Sequence, residues 1–265
     1  MSGTQAPSSF VALMRRYCLD YTNRHDVTQV PGIMEPDYTL RMGQHVLSGR
    51  DDMYVPAASA QFRQFPGLCL TVHQIVSNGE RLAMRFSEHG RSVKHANQAA
   101  AWSGIGLYHW NGTKLTANAV EQDYYSRKLQ LDGAPADPIE PPATAPWDVV
   151  DVAANPGAEA VVRTLLESGE APTVLNTDDA WFRASAQPRF TDAAYRVDDI
   201  FSAGDDVAFR VVVDGTYAGG LPEAEAQVGK RTQHYYVGIA SVAGGTVAAG
   251  RIITDRLGLV RRLAG

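Results

Sequence analysis

The chain has 265 residues, of which 45% are hydrophobic and 20% charged, and a formal net charge of −5. That balance is ordinary for a globular protein and supplies enough apolar surface for one large core or two small ones. Lys and Arg nowhere cluster as tracking a phosphate backbone requires, which argues against nucleic acid, and no apolar run approaches the roughly 20 residues of a membrane helix.

Residues 1–9 are small and polar, without the charged and apolar regions of a signal peptide. Cys18 and Cys69 sit inside apolar patterns, the usage expected of two buried thiols in a cytoplasmic protein.

Ser8 or Ser9 can cap a helix on which Phe10, Leu13, Met14, Tyr17, Cys18 and Tyr21 share a face. Asp26 can cap a second, short helix. Residues 37–42 alternate like a strand, and residues 51–65 read as a third helix, ended by Pro66-Gly67. The period then changes to two. Leu68, Leu70 and Val72 alternate, Asn78-Gly79 signals a hairpin, and Leu82, Met84 and Phe86 alternate again. Residues 102–110 and 114–125 form another strand pair about Asn111-Gly112. Helices followed by long antiparallel strands predict an α+β fold, with helices on one face of a curved, mostly antiparallel sheet.

Five prolines between Leu131 and Pro146 mark a linker, beyond which the strand pattern returns. Val197-Asp198-Asp199-Ile200-Phe201 echoes Val72-His73-Gln74-Ile75-Val76, and Ala208-Phe209-Arg210 echoes Ala83-Met84-Arg85 at the same offset. Gly238 and Asp255 echo Gly106 and Asp123 at a larger offset, which one insertion around residues 219–229 explains. Asp178-Asp179 and Ala184-Ser185-Ala186-Gln187 weakly match Asp51-Asp52 and Ala58-Ser59-Ala60-Gln61. These echoes predict tandem duplication of a whole domain. The expected organisation is a pocket-bearing, active unit at residues 1–130, a Pro/Ala-rich linker at 131–156, and a truncated, structural unit at 157–265. The two should pair as an intrachain pseudo-dimer, with further homo-oligomerisation left open.

Asn23-Arg24-His25-Asp26, Glu35-Pro36-Asp37-Tyr38, Phe65-Pro66-Gly67-Leu68, Glu80-Arg81-Leu82-Ala83 and Asn111-Gly112-Thr113-Lys114 leading to Asp123 carry a resemblance to the SnoaL-like branch of the nuclear-transport-factor-two-like superfamily. The resemblance covers roughly residues 10–125. It implies two tandem cone-shaped domains and a mostly apolar pocket for a small hydrophobic ligand. The superfamily includes ketosteroid isomerase, polyketide cyclases, scytalone dehydratase and epoxide hydrolases, so the fold does not select a reaction. The isomerase's acids fall near Met42 and Gly106, and the cyclases' His and Asp near Gly106 and Val120, so neither mechanism transfers. The dehydratase's histidines fall in stretches holding His73 and His89, and one of its tyrosines falls near Tyr21.

Strand parity puts Glu88 on the face of Leu82, Met84 and Phe86, where an apolar surround would raise its pKa toward neutrality; the alternative is a solvated rim position. His73 is a second candidate base, out of phase with the apolar face. Tyr21 and Tyr17 lie on the helix face turned to the sheet and can polarise a substrate oxygen. Trp102 and Tyr108 alternate with Gly104 and Gly106, a pattern that opens space for a flat ligand between aromatic walls, or else bends the strand. Asn118, Gln122 and Tyr124 share a phase and can orient polar groups. No metal, nucleotide or other cofactor is expected, because neither His-Glu-x-x-His spacing nor a phosphate-cradling loop occurs. The expected activity is cofactor-independent acid–base chemistry of lyase or isomerase type (dehydratase, isomerase or cyclase) on a small hydrophobic, aromatic or polyketide-like substrate. The alternatives are a non-catalytic binding module and an epoxide-opening hydrolase or cyclase.

Overall fold

In the computed structural model, which describes residues 8–177 and 188–265, Ser8 caps the first helix, its hydroxyl accepting from the Val11 amide at 3.4 Å. Helix α1 (Ser9–Arg16) buries Phe10, Val11, Leu13 and Met14, then widens into a π-helical turn over Tyr17–Thr22. The Asn23 amide reaches back to the Cys18 carbonyl at 2.9 Å, the five-residue step of a π turn. Asp26 caps a 3₁₀ turn, Val27–Gly32. The expected third helix is two pieces of different pitch, a second π turn at Arg50–Tyr54 and helix α2 (Val55–Gln64).

Six strands form the first sheet: β1 (Met34–Met42), β2 (His45–Ser48), β3 (Cys69–Ser77), β4 (Arg81–Ser92), β5 (Gln98–Trp110) and β6 (Leu115–Gln122). Their order is β2-β1-β6-β5-β4-β3, with β1 parallel to β6 and every other neighbour antiparallel. The hairpin turns use Gly79 at φ +87° and Gly112 at φ +91°, a region open to glycine at little cost. The last strand is shorter than its alternation suggested. It stops at Gln122, and Asp123 turns the chain into helix α3 (Tyr124–Leu131) by accepting from the Ser126 amide at 2.9 Å.

The second unit contains α4 (Pro156–Ser168), α5 (Ala171–Val174), β7 (Asn176–Thr177), β8 (Phe190–Ala203), β9 (Asp206–Tyr217), β10 (Arg231–Ala243), β11 (Thr246–Thr254) and α6 (Arg256–Ala264). Its five strands run β7-β11-β10-β9-β8, with β7 parallel to β11 as β1 is to β6. The registers repeat as well. Strand β3 bulges between Val72 and Gln74, and β8 bulges between Val197 and Asp199. Gly106 lies opposite Met84 and Val120, and Gly238 opposite Phe209 and Ile252. The connection from β9 to β10 carries an extra 3₁₀ turn, Pro222–Gln227, at the site inferred for the insertion. The weak echoes at Asp178-Asp179 and Ala184–Gln187 lie outside the described residues. The chain is α+β throughout, two curved sheets each closed on one face by helices.

Parity divides each sheet between two cores. On β4 and β5, Leu82, Met84, Phe86 and Tyr108 face the helices, while Ala83, Ile105 and Leu107 face the second sheet and meet Phe201, Val237, Ile239 and Ile253 there. Polar contacts rim this sheet-on-sheet seam. Arg81 pairs with Asp199 at 2.6 Å, and Arg210 donates to the Gly43 carbonyl at 2.7 Å. Between the units, residues 132–155 carry one short 3₁₀ turn, Pro146–Asp148. This stretch follows the first sheet, the Ala143 amide donating to the Val72 carbonyl at 2.8 Å.

Beneath the seam Arg256 donates to Asp123 at 2.9 Å, with side chains only 0% and 2% exposed. A buried pair that loses one partner strands a charge, at a cost of about 3–5 kcal/mol. Asp123→Ala should lower stability by that amount, read as a fall in the urea midpoint at unchanged slope. A loss below about 1 kcal/mol, the range of exposed pairs, would mean that water reaches Arg256.

Candidate functional site

The helices and the inner face of the first sheet enclose a cavity of about 130 Å³. Its tyrosine wall follows from the two π turns. The widened first turn presents Tyr17, Tyr21 and Thr22 to the same space, and the second delivers Tyr54 opposite them. The Tyr21 hydroxyl donates to the Tyr54 oxygen at 3.2 Å, and the Tyr17 and Tyr54 oxygens are 3.4 Å apart. Burial pushes all three phenols above their ordinary pKa. They are neutral hydrogen-bond donors at neutral pH.

Glu88 enters from β4. It is 5% exposed, inside the cone and not on a solvated rim. Its Oε2 accepts from Gln61 Nε2 at 2.8 Å, and the Tyr124 hydroxyl donates to Gln61 Oε1 at 3.4 Å. Burial raises the Glu88 carboxyl to about 7, against the opposing pull of the Arg127 guanidinium and of the Gln61 and Trp102 donors. Arg127 stands 3.9 Å from the centroid of the Tyr124 ring and 5.0 Å from that of Trp102. A carboxyl titrating near neutrality is suited to both taking and returning a proton.

Of the residues singled out from sequence, Glu88, Tyr21, Tyr17, Phe86, Tyr108, Asn118, Gln122 and Tyr124 line this cavity; Tyr124 does so from helix α3, not from a strand. The others do not. His73 is the bulged residue of β3. Its Nε2 lies 2.9 Å from Ser87 Oγ and its Nδ1 lies 3.0 Å from the Pro141 carbonyl, so the ring is spent anchoring the linker on the sheet's outer face. His89 lies outside the cavity too, 3.5 Å from Thr71 Oγ1. Met84 is packed in the core, 3.6 Å from Cys18 Sγ. Trp102 lies beyond the cavity's end against Phe65, where its indole donates to Gln122 Oε1 at 2.7 Å and fixes that amide.

Gly104 and Gly106 do not open the cavity to a ligand. A Cβ on Gly104 would stand 2.5 Å from the Phe86 ring, and one on Gly106 would stand 2.8 Å from Tyr108. The glycines seat those two rings. Cys18 is buried as expected of an inert thiol, but Cys69 is only half-buried. Among the described residues no group of three or more His, Cys, Asp or Glu is placed to hold a metal ion, and no helix is long and apolar enough to cross a membrane.

Tyr54, Gln61 and Thr22 were missed. The available signal was Tyr54, Ala57, Ala58 and Gln61 at helical spacing within the third predicted helix, all of which line the cavity. The resemblance motif has a structural task here. Asn23 bonds both the amide (2.7 Å) and the carbonyl (3.1 Å) of Leu70, and His25 bonds the Leu68 carbonyl at 3.0 Å, tying the π turn to the start of β3.

A profile of the SnoaL-like domain matches residues 14–118, a span that holds Glu88 and the whole tyrosine wall. Over that span the first unit matches the SnoaL-like domain. A protein from Jannaschia sp. CCS1, proposed to be a SnoaL-like polyketide cyclase, is 12% identical, with 51% of this chain and 99% of that one covered and a TM-score of 0.45. IdmH from Streptomyces antibioticus, proposed to be a polyketide cyclase, is 14% identical over 46% of this chain and 96% of its own, at a TM-score of 0.41. AclR from Streptomyces galilaeus, proposed to be a hydroxylase, is 19% identical over 48% and 83%, at 0.42. Comparison with curated proteins finds no match. The assignment of the SnoaL-like domain rests on the profile match and not on these distant structures.

Glu88 also makes the domain's stability depend on pH. Its carboxyl titrates near 4.5 when unfolded and near 7 when folded, so the native state tolerates the neutral acid and penalises the ion. The contribution is full below 4.5 and is lost as pH rises through about 7, a difference on the order of 3 kcal/mol. Glu88→Gln should therefore stabilise the protein by about that much at alkaline pH and change it little near pH 4, in denaturant titrations at the two pH values. Equal effects at both would show that the carboxyl is hydrated.

Proposed function

We propose that the SnoaL-like domain is a cofactor-independent acid–base enzyme of isomerase, lyase or cyclase type, acting on a small, ring-bearing hydrophobic molecule. The observation that carries this reading is the Glu88 carboxyl, buried in a largely apolar cavity and titrating near neutrality, across from neutral phenols able to donate hydrogen bonds. Glu88 takes a proton from carbon next to a substrate carbonyl and returns it elsewhere. The Tyr17, Tyr21 and Tyr54 hydroxyls hold the oxygen on which negative charge develops, the role of an oxyanion hole. Gln61 aims the carboxylate, and Phe86 and Tyr108 clasp the ring. A cavity of about 130 Å³ is close to the roughly 150 Å³ that accommodates benzene, which favours a single ring over a fused polyketide unless the tyrosine wall moves outward.

The epoxide-opening alternative needs two carboxyls converging in one pocket, and among the described residues lining the cavity Glu88 is the one acid. That observation weighs against it. The binding-module reading is favoured by the lack of a histidine among the described residues lining the cavity and is separated from catalysis by experiment. In this reading the second unit is a structural partner, its sheet packed on the first as a built-in pseudo-dimer.

Wild-type protein in D₂O should exchange the protons next to the carbonyl of a small cyclic ketone, followed by NMR. The rate should rise through about pH 7 as Glu88 ionises, and Glu88→Gln should lower it by about 10²–10⁴-fold. His73→Ala, which alters the outer face, should leave it unchanged. Binding without exchange in the wild type would sustain the binding-module reading instead.

A further inference from the structure

Helix α3 starts where β6 stops and packs on β5 at the end of the cavity, beside Phe65 and Trp102. Tyr124 and Arg127 are three residues apart on it and so share a face. The half-buried Arg127 stands 3.9 Å from the ring centroid of Tyr124, 5.0 Å from that of Trp102 and 5.8 Å from that of Phe65. All three lie within the roughly 6 Å over which an aromatic face attracts a cation. Rings hold a guanidinium without neutralising it. Among the described residues no Asp or Glu forms a salt bridge with Arg127, whereas the buried Arg256 has Asp123 at 2.9 Å.

Two of the caging rings lead to Glu88. Trp102 is its cross-strand neighbour on β5. The Tyr124 hydroxyl donates to the Gln61 side chain, whose amide in turn donates to the Glu88 carboxyl. The other titratable groups that feel this carboxyl are Cys18 and Tyr21 from the first π turn, Tyr108 from β5 and Tyr124 from α3, and burial keeps each of them neutral. Helix α2 contributes Gln61, which is uncharged. Among the described residues Arg127 is therefore the one standing charge that acts on Glu88.

From a caged cation with no acid of its own, set behind the one carboxyl of the cavity wall, we infer that Arg127 is a positioning residue for the proton transfer. It is the counter-ion that Glu88 meets on ionising, and its clamp on Tyr124 keeps Gln61 aimed at the carboxylate. When Glu88 takes a proton from carbon the charge pair is lost, and when it returns the proton the pair forms again. Arg127 itself exchanges no proton. Its planar guanidinium stacks on aromatic faces where an ammonium is a compact, strongly hydrated point charge, so lysine in its place supplies the charge without the clamp. The inference rests on Glu88 being the proton carrier proposed above.

The test is the Glu88 carboxyl titration, followed by ¹³C NMR in the wild type, Arg127→Met and Arg127→Lys, with Arg127→Gln as a second neutral replacement. Loss of the nearby positive charge disfavours the carboxylate, so both neutral variants should raise the midpoint by about one unit. Arg127→Lys should stay within about half a unit of the wild type. Exchange of a small cyclic ketone in D₂O by Arg127→Met should fall about fivefold at pH 7 and recover by about pH 9.5, with KM unchanged. A purely structural role would instead lower stability or raise KM and leave the midpoint in place. An unmoved midpoint in both neutral variants, or a shift in Arg127→Lys as large as theirs, overturns the inference. If the wild type exchanges no protons, the enzyme reading fails by itself, and the midpoints still decide whether Arg127 is the counter-ion.

Discussion

A carboxyl group pays heavily for leaving water, and in this protein the whole first unit is arranged around one that has done so. Glu88 is enclosed because period-two alternation on β4 carries it to the same face as Leu82, Met84 and Phe86, and because α2 and the π turns close over that face. The Arg127 guanidinium and the Gln61 and Trp102 donors compensate only part of the lost hydration. The remainder appears as a pKa near neutrality. The penalty to the fold and the capacity for proton transfer are thus the same free energy, seen once as stability and once as chemistry.

The second unit repeats the sheet but not the site. Counted along the matched registers, the partner of Glu88 is Val213, which is buried in an apolar core with Val162, Leu166, Phe209 and Tyr236. What the second unit contributes to the first is support. Its Arg210 and Asp255 bracket Gly43, at the tip of the hairpin between β1 and β2, and that hairpin supplies Leu40, Met42 and Leu47 to the cavity wall. Glu121 holds the same tip, accepting from the Gly43 amide at 2.8 Å. Burial, reinforced by the neighbouring Asp255 carboxylate, raises the Glu121 pKa well above its usual range. The second sheet thus braces the hairpin that walls the cavity, while its own interior at the matching position is filled by apolar side chains.

Parity read along β4 and β6 was enough to place Glu88, Asn118 and Gln122 on the inner face, because a strand's alternation survives any curvature of the sheet. The echoes between the halves were legible for the same reason, and the two sheets share their strand order and their bulge positions, which fits the expected duplication. Pitch was not legible. A π turn differs from an α-helix by one residue in its hydrogen-bond step, and nothing in Tyr17–Thr22 or Arg50–Tyr54 announces it, so the meeting of three tyrosines was invisible. Helices α3 and α6 were missed although Asp123 and Asp255 are ordinary caps; at α3 the apolar alternation ran on into Tyr124 and Tyr125. Gly104 and Gly106 misled in a different way. A missing side chain shows that something approaches closely, but only coordinates show that it is a neighbouring ring, Phe86 or Tyr108.

The most direct test of the account is the titration of Glu88 itself, by NMR of protein labelled with ¹³C at glutamate side-chain carboxyls and assigned through Glu88→Gln. A midpoint near 7 is predicted, with the tyrosine hydroxyl resonances responding to the same transition. A midpoint near the ordinary 4.5 would mean that water solvates the carboxylate, and a group so placed supports neither the stability linkage nor the proposed proton transfer.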